Sequence, residues 1–135
     1  MHNNAGPETV LVVDDNIFVL NTLSASLRHA GFVVLTAQSA SEALEIGVRH
    51  ERPIQLILLD VILPGMDGPE LAEQFQRLHP ESRSLFVTGL PDTPRVADEI
   101  VGRGLALLPK PFLPQTLAQK VREVLATPAR NRIGT

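Results

Sequence analysis

A chain of 135 residues, 44% hydrophobic and 20% charged, is sized for one domain with one real core. Its net charge of -3 leaves no electrostatic footprint for nucleic acid, and no apolar run approaches the roughly 18 residues that span a membrane. Zero cysteines exclude disulfides and thiolate metal sites; with no signal-peptide pattern at the start, a cytoplasmic setting is expected.

Residues 1–8 (MHNNAGPE) are polar with Gly and Pro and read as a flexible arm. A first strand follows at 9–13 (TVLVV), continuously apolar as in a strand buried on both faces. Ile17, Leu20, Leu23, Leu27 and Ala30 recur at helical spacing, and Gly31 stops that helix. A second strand is predicted at 32–36. Ser39 to Glu42 forms a capping-box pattern opening a helix to about His50.

The third strand, 55–59 (QLILL), delivers Asp60 at its end. After a loop VILPGM, Asp67 to Glu70 is another cap, and Leu71, Phe75 and Leu78 line the helix it opens. A fourth strand ends at Thr88. Pro94 sits in the first turn of the next helix, with Val96, Ile100 and Val101 expected inward. A fifth strand covers about 105–108. Pro114 opens a last helix carrying Leu117, Val121, Val124 and Leu125, and residues 127–135 read as a flexible tail. Five strands alternating with five helices imply a parallel sheet covered on both faces.

The chemistry gathers at one edge. Asp14, Asp15, Asp60, Thr88, Lys110 and Pro111 all fall at or just past the carboxyl ends of predicted strands. In an open parallel sheet those ends share one edge, where ligands bind. Three carboxylates there repel one another, at roughly 4 kcal/mol for two unit charges about 4 Å apart at an effective dielectric near 20. A cation relieves this, and oxygen ligands without His or Cys favour Mg²⁺. Asp60 is placed to attack phosphorus, with Lys110 and a metal neutralising the phosphoryl oxygens and Thr88 donating to one of them. Ten of the twelve basic residues are Arg, yet position 110 is Lys, whose compact ammonium suits a tight phosphate pocket. Singly, each residue has a plainer reading: Asp14-Asp15 as a helix cap, Asp60 as a turn residue, Thr88 as an ordinary strand residue. Their coincidence on one edge carries the functional reading. His29, His50 and His79 sit near predicted helix ends and read as solvated imidazoles.

The stretches VLVVDDN (10–16), LILLDVILPGMDGPEL (56–71), LFVTGL (85–90) and LLPKPF (107–112) together resemble the response-regulator receiver domain of two-component signalling, CheY-like and of the stand-alone single-domain type. The resemblance covers about residues 8–126 and implies a flavodoxin-like, doubly wound five-stranded parallel sheet of order 2-1-3-4-5 with five helices, the receiver occupying 9–126. It implies Asp60 as phosphoacceptor, and Mg²⁺ held by Asp15 and Asp60, by Asp14 mainly through water, and by the Ile62 carbonyl. Thr88 matches the switch hydroxyl and Lys110 the phosphate-binding lysine. The N–H groups of Val61 and Gly89 would face the phosphoryl oxygens, and the bond before Pro111 would be cis.

Three positions depart from the family pattern. Leu107 stands where many members carry Tyr or Phe, so no aromatic switch operates there. Ile62 and Leu90 flank the pocket where some members have polar side chains that help place a hydrolytic water, which predicts slow self-dephosphorylation. The implied partners are a sensor histidine kinase or histidine phosphotransfer protein upstream and a protein target on the 92–126 face. Neither nucleic acid nor membrane is contacted, and a phosphorylation-dependent dimer is compatible. The domain would catalyse only its own phosphorylation and dephosphorylation. Competing readings are a degenerate receiver that binds partners without phosphorylation, a haloacid-dehalogenase-type phosphatase and a flavin module. The phosphatase needs Asp-x-Asp where this chain has Asp60 and Ile62. The flavin module needs a phosphate-cradling loop where two acids stand.

Overall fold

The computed structural model describes residues 6–89 and 94–127, with backbone alone for 94, 96 and 97. The strands are β1 (Thr9–Val13), β2 (Val33–Ala37), β3 (Leu56–Asp60), β4 (Ile62–Leu63), β5 (Met66–Asp67), β6 (Arg83–Thr88) and β7 (Ala106–Pro109). The helices are α1 (Ile17–His29), α2 (Ala40–Arg49), α3 (Gly68–Leu78), α4 (Pro94–Gly102) and α5 (Pro114–Ala126). Five strands pair in parallel in the order β2-β1-β3-β6-β7, which is 2-1-3-4-5 counted within that sheet. This is the flavodoxin-like fold expected.

Alternation along each strand divides the core in two. Leu11, Val13, Ile57, Leu59 and Phe86 point to one face and pack with Ala43, Leu71, Phe75 and Ile100 of α2, α3 and α4. Val10, Val12, Leu56, Leu58, Leu85 and Val87 point to the other and pack with Leu20, Leu23, Leu27, Leu117 and Val121 of α1 and α5. The central strands therefore read as continuous apolar runs, since both of their faces are covered.

Local signals act as expected at most helix ends. Ser39 Oγ accepts from the Glu42 N–H (3.1 Å), and Asp67 Oδ1 from the Glu70 N–H (2.8 Å). Gly31 takes φ +102° just beyond α1, which other residues adopt only with strain. Four expectations need correction. Ile17, Leu78 and Val101 are exposed rather than inward, each lying at the margin of its helix's apolar stripe. The VILPGM loop holds the antiparallel pair β4–β5, with Ile62 opposite Asp67 and Gly65 at φ +82° between them. Val96, expected inward, lies outside the described side chains, as do residues 1–5 of the arm and 128–135 of the tail.

Candidate functional site

β1, β3, β6 and β7 deliver their groups to one edge. Asp60 is the last residue of β3 and Thr88 the last of β6; Asp14 follows β1 and Lys110 follows β7. Neighbouring strands lie about 4.8 Å apart, so residues as distant in sequence as Asp60 and Lys110, 50 positions apart, meet at this edge. The Lys110 N–H donates to the Thr88 carbonyl (2.7 Å), and the Lys110–Pro111 bond is cis, as expected.

The Asp60 carboxylate is held from two sides. Oδ2 lies 3.3 Å from Lys110 Nζ, and Oδ1 accepts from the Ile62 N–H (3.1 Å). Both side chains of the pair are largely shielded from water, so their attraction is screened less than on an open surface. Thr88 is buried at the same edge. Gly89 follows it, and among the described residues a Cβ there would meet only Lys110 Cδ, at 3.9 Å.

Asp14 is buried, whereas Asp15 is exposed at the rim. Asp14 Oδ1 accepts from the Asn16 N–H (2.9 Å); Oδ2 is buried with no hydrogen-bond partner among the described residues. Burial pushes the Asp14 carboxyl above its ordinary value of 3.8, against the pull of the Asn16 N–H and the Lys110 charge, while Asp60 and Asp15 push it further up. Neither acid caps α1. That task falls to Asn16, whose Oδ1 accepts from the N–H groups of Phe18 (2.9 Å) and Val19 (3.2 Å). An Asn directly ahead of the first apolar-periodic residue was the signal for it.

The donor set suits a small hard dication: carboxylates at 14, 15 and 60, one oxygen of which is buried and unpartnered, and no soft ligand nearby. Among the described residues, no three acidic or imidazole side chains are gathered closely enough to hold a metal by themselves.

The other expected positions fall as follows. The Val61 N–H, expected to face the phosphoryl oxygens, instead donates to the Val87 carbonyl (3.1 Å), the bond that closes the β3–β6 ladder at its last pair, Asp60 with Val87. Of the two expected gate residues, Ile62 stands 57% exposed and Leu90 lies outside the described residues. Leu107 is partly buried beside Phe86, its partner across β6–β7. Gly68 is a site residue that sequence reading missed: a Cβ on it would stand 2.5 Å from the Asp60 carbonyl oxygen.

A doubly wound parallel sheet with acids and a lysine at its carboxyl edge is an α/β protein whose ligand crevice lies at that edge. The response regulator receiver domain family model matches residues 10–122, and the chain belongs to that family, a module of two-component signalling. It is 33% identical over 121 residues to the sensor kinase CckA of Brucella abortus, covering 90% of this chain and 13% of the kinase. The chain thus spans a minor part of that relative. The CheY-like receiver domain protein of Methanospirillum hungatei superposes with a TM-score of 0.77 at 30% identity, covering 89% of this chain and 94% of the other. A response regulator of Burkholderia pseudomallei, described with a phosphorylated aspartic acid, calcium ion and citrate, superposes with a TM-score of 0.72 at 27% identity, covering 89% and 67%. No helix among the described residues is long and apolar enough to cross a membrane.

Proposed function

We propose that this domain takes a phosphoryl group from the phosphohistidine of a sensor histidine kinase or phosphotransfer protein onto Asp60 and so switches a protein-binding surface. One observation carries the reading: Asp60, at the end of β3, has Lys110 Nζ 3.3 Å from one oxygen and a buried carboxylate, Asp14, nearby with an oxygen unpartnered. In the step, an Asp60 oxygen forms a bond to phosphorus as the phosphorus–nitrogen bond of the donor breaks. The electron pair stays on the departing imidazole nitrogen, which takes up a proton. Lys110 is drawn from the carboxylate toward the new phosphoryl oxygens, and Thr88 and the Gly89 N–H are placed to donate to them. Asp14, Asp15, Asp60 and the Ile62 carbonyl would hold Mg²⁺. A bound Mg²⁺ would neutralise charge on the phosphoryl oxygens.

The phosphoryl group adds about 1.5 to 2 negative charges and three strong acceptors at this edge. Thr88 and Lys110 sit on β6 and just past β7, so their movement would bias the 92–126 face, the proposed docking surface for a downstream protein and for a phosphorylation-dependent dimer. The receiver would occupy residues 9–126 and act in the cytoplasm. The Burkholderia neighbour, whose description includes a phosphorylated aspartic acid and a divalent ion, supports the assignment. A phosphorylation-independent interaction module is the second reading, favoured only by Leu107.

Intact-protein mass after incubation with acetyl phosphate, with and without Mg²⁺, tests this. A single Mg²⁺-dependent phosphoryl gain in wild type, absent in Asp60→Ala, is expected. No gain in the folded wild type would support the second reading.

A further inference from the structure

Gly68 opens α3 directly against the peptide that carries Asp60. Its N–H donates to the Val61 carbonyl (2.8 Å). A Cβ there would lie 2.5 Å from the Asp60 carbonyl oxygen, 3.0 Å from the Val61 carbonyl oxygen and 3.1 Å from Val61 Cα. All three are backbone atoms and none can rotate aside. Of the eight glycines described, only this one has backbone atoms as the nearest neighbours of an added Cβ.

The same short segment closes on itself around the acceptor. The Ile62 N–H holds Asp60 Oδ1, Ile62 pairs with Asp67, and Asp67 caps α3 through the Glu70 N–H. The start of α3 is thus tied to Asp60 by backbone at 61 and 68 and by the hairpin between them. Farther along, Leu71 and Phe75 are fully buried and anchor the helix to the sheet. The helix is thus held against backing away, so a side chain at 68 would press on the Asp60–Val61 peptide, which the Val61 N–H ties to the Val87 carbonyl.

We propose that Gly68 is a positioning residue for the phosphoacceptor: its bare Cα lets α3 seat the Asp60–Val61 peptide so that the carboxylate meets Lys110. This rests on Asp60 being the acceptor. To clear even the shortest Cβ contact found in proteins, the peptide must shift about half an ångström. A misplacement of about 1 Å can cost roughly 100-fold in rate, so half of that corresponds to about tenfold.

The test is the rate of phosphoryl gain at saturating acetyl phosphate and Mg²⁺, at low temperature, for wild type, Gly68→Ala and His79→Ala. His79 lies at the far end of α3, so His79→Ala lowers stability without touching the Asp60 peptide. Wild type that gains no phosphoryl group overturns the acceptor reading and this proposal with it. With wild type active, the expected result is a rate about tenfold lower in folded Gly68→Ala and near wild type in His79→Ala. Equal rates in wild type and Gly68→Ala overturn the positioning role, as does equal slowing in both variants, which would mark a general loss of stability. Should Gly68→Ala not fold, Asp67→Ala frees the same helix start without adding an atom at 68. A slowed rate there supports the seat, and a wild-type rate overturns it.

Discussion

Asp14 carries the sharpest stability prediction. Its Oδ2 is buried without a hydrogen-bond partner, and its carboxyl is pushed above its ordinary value first by burial. Asp14→Asn keeps the Oδ1 acceptor used by the Asn16 N–H and removes the charge. Relieving a buried unpartnered charged acceptor is worth roughly 1–3 kcal/mol. In a chain of this size that is roughly 3–10 °C in Tm. The variant is therefore expected to be more stable than wild type in EDTA at pH 7. The pH dependence follows from the sign of the shift. A carboxyl raised in the folded state binds its proton more tightly there than in the unfolded chain. Its cost is absent below the unfolded value of 3.8 and grows as pH rises through the folded value. The gap between variant and wild type should thus be small near pH 4 and full at neutrality, read by urea unfolding in EDTA. Added Mg²⁺ should stabilise wild type by RT ln(1 + [Mg²⁺]/Kd) and the variant by much less. A variant no more stable at pH 7, or a gap unchanged between pH 4 and pH 7, would refute the reasoning.

The remaining predictions concern α3 and the pocket mouth. His79 is buried; its Nε2 donates to the Gly47 carbonyl (2.9 Å), its Nδ1 meets Glu81 Oε2 (3.0 Å), and its ring stacks on Phe75. His79→Ala should cost about 2–4 kcal/mol by urea unfolding, and a loss near zero would show the network to be idle. Burial raises the Glu81 carboxyl, but bonds from its own N–H, from His79 and from the Ile54 N–H outweigh it and hold it below 4.5. Its contribution is present above 4.5 and lost as pH falls through the folded value, so Glu81→Gln should destabilise at pH 7 and converge on wild type in acid. At the gate, Ile62→Glu should shorten the phosphoryl half-life followed by intact mass; an unchanged half-life would sink the proposed role of the apolar gatepost.

Legibility in the sequence tracked how much of each element is set by burial. β1, β3 and β6 lie mid-sheet, so their apolar runs stand out, and the residues at their ends locate the acidic edge without coordinates. The edge strand β2 is less apolar, with Val33 exposed; its expected bounds slipped by one residue, as did those of β3. The β4–β5 hairpin has two residues per strand, too few for periodicity, although Pro64-Gly65 is a turn signal that could have marked it. His79 was read as solvated because its position at a helix end says nothing of what packs above it. Gly47 lies one turn from the end of α2, where carbonyls lack helical partners, and His79 supplies the donor from α3. Which of three acids is buried, and that Gly68 touches the Asp60 peptide, are facts of close approach that no single-chain pattern encodes.

The two ends of α3 bear on which elements can answer a phosphoryl group. Its start is seated on the Asp60 peptide at Gly68, and its end is pinned through His79 to α2, to Glu81 and through it to Ile54. With Phe75 and Leu71 buried between, the helix is held along its length. The ion pair from α3 toward α4 is weaker: Arg103, just beyond α4, meets Glu73 of α3 at 3.7 Å, both half-exposed, and shares its guanidinium with Glu99 of α4 at 3.8 Å. Such pairs contribute at most about 1 kcal/mol. Lys110, by contrast, joins Asp60 directly to the end of β7, and its own N–H ties that end to Thr88. A force applied at Asp60 meets a fixed strut on the α3 side and a movable side chain on the β6–β7 side. That asymmetry supports the proposed switching of the 92–126 face rather than of α3.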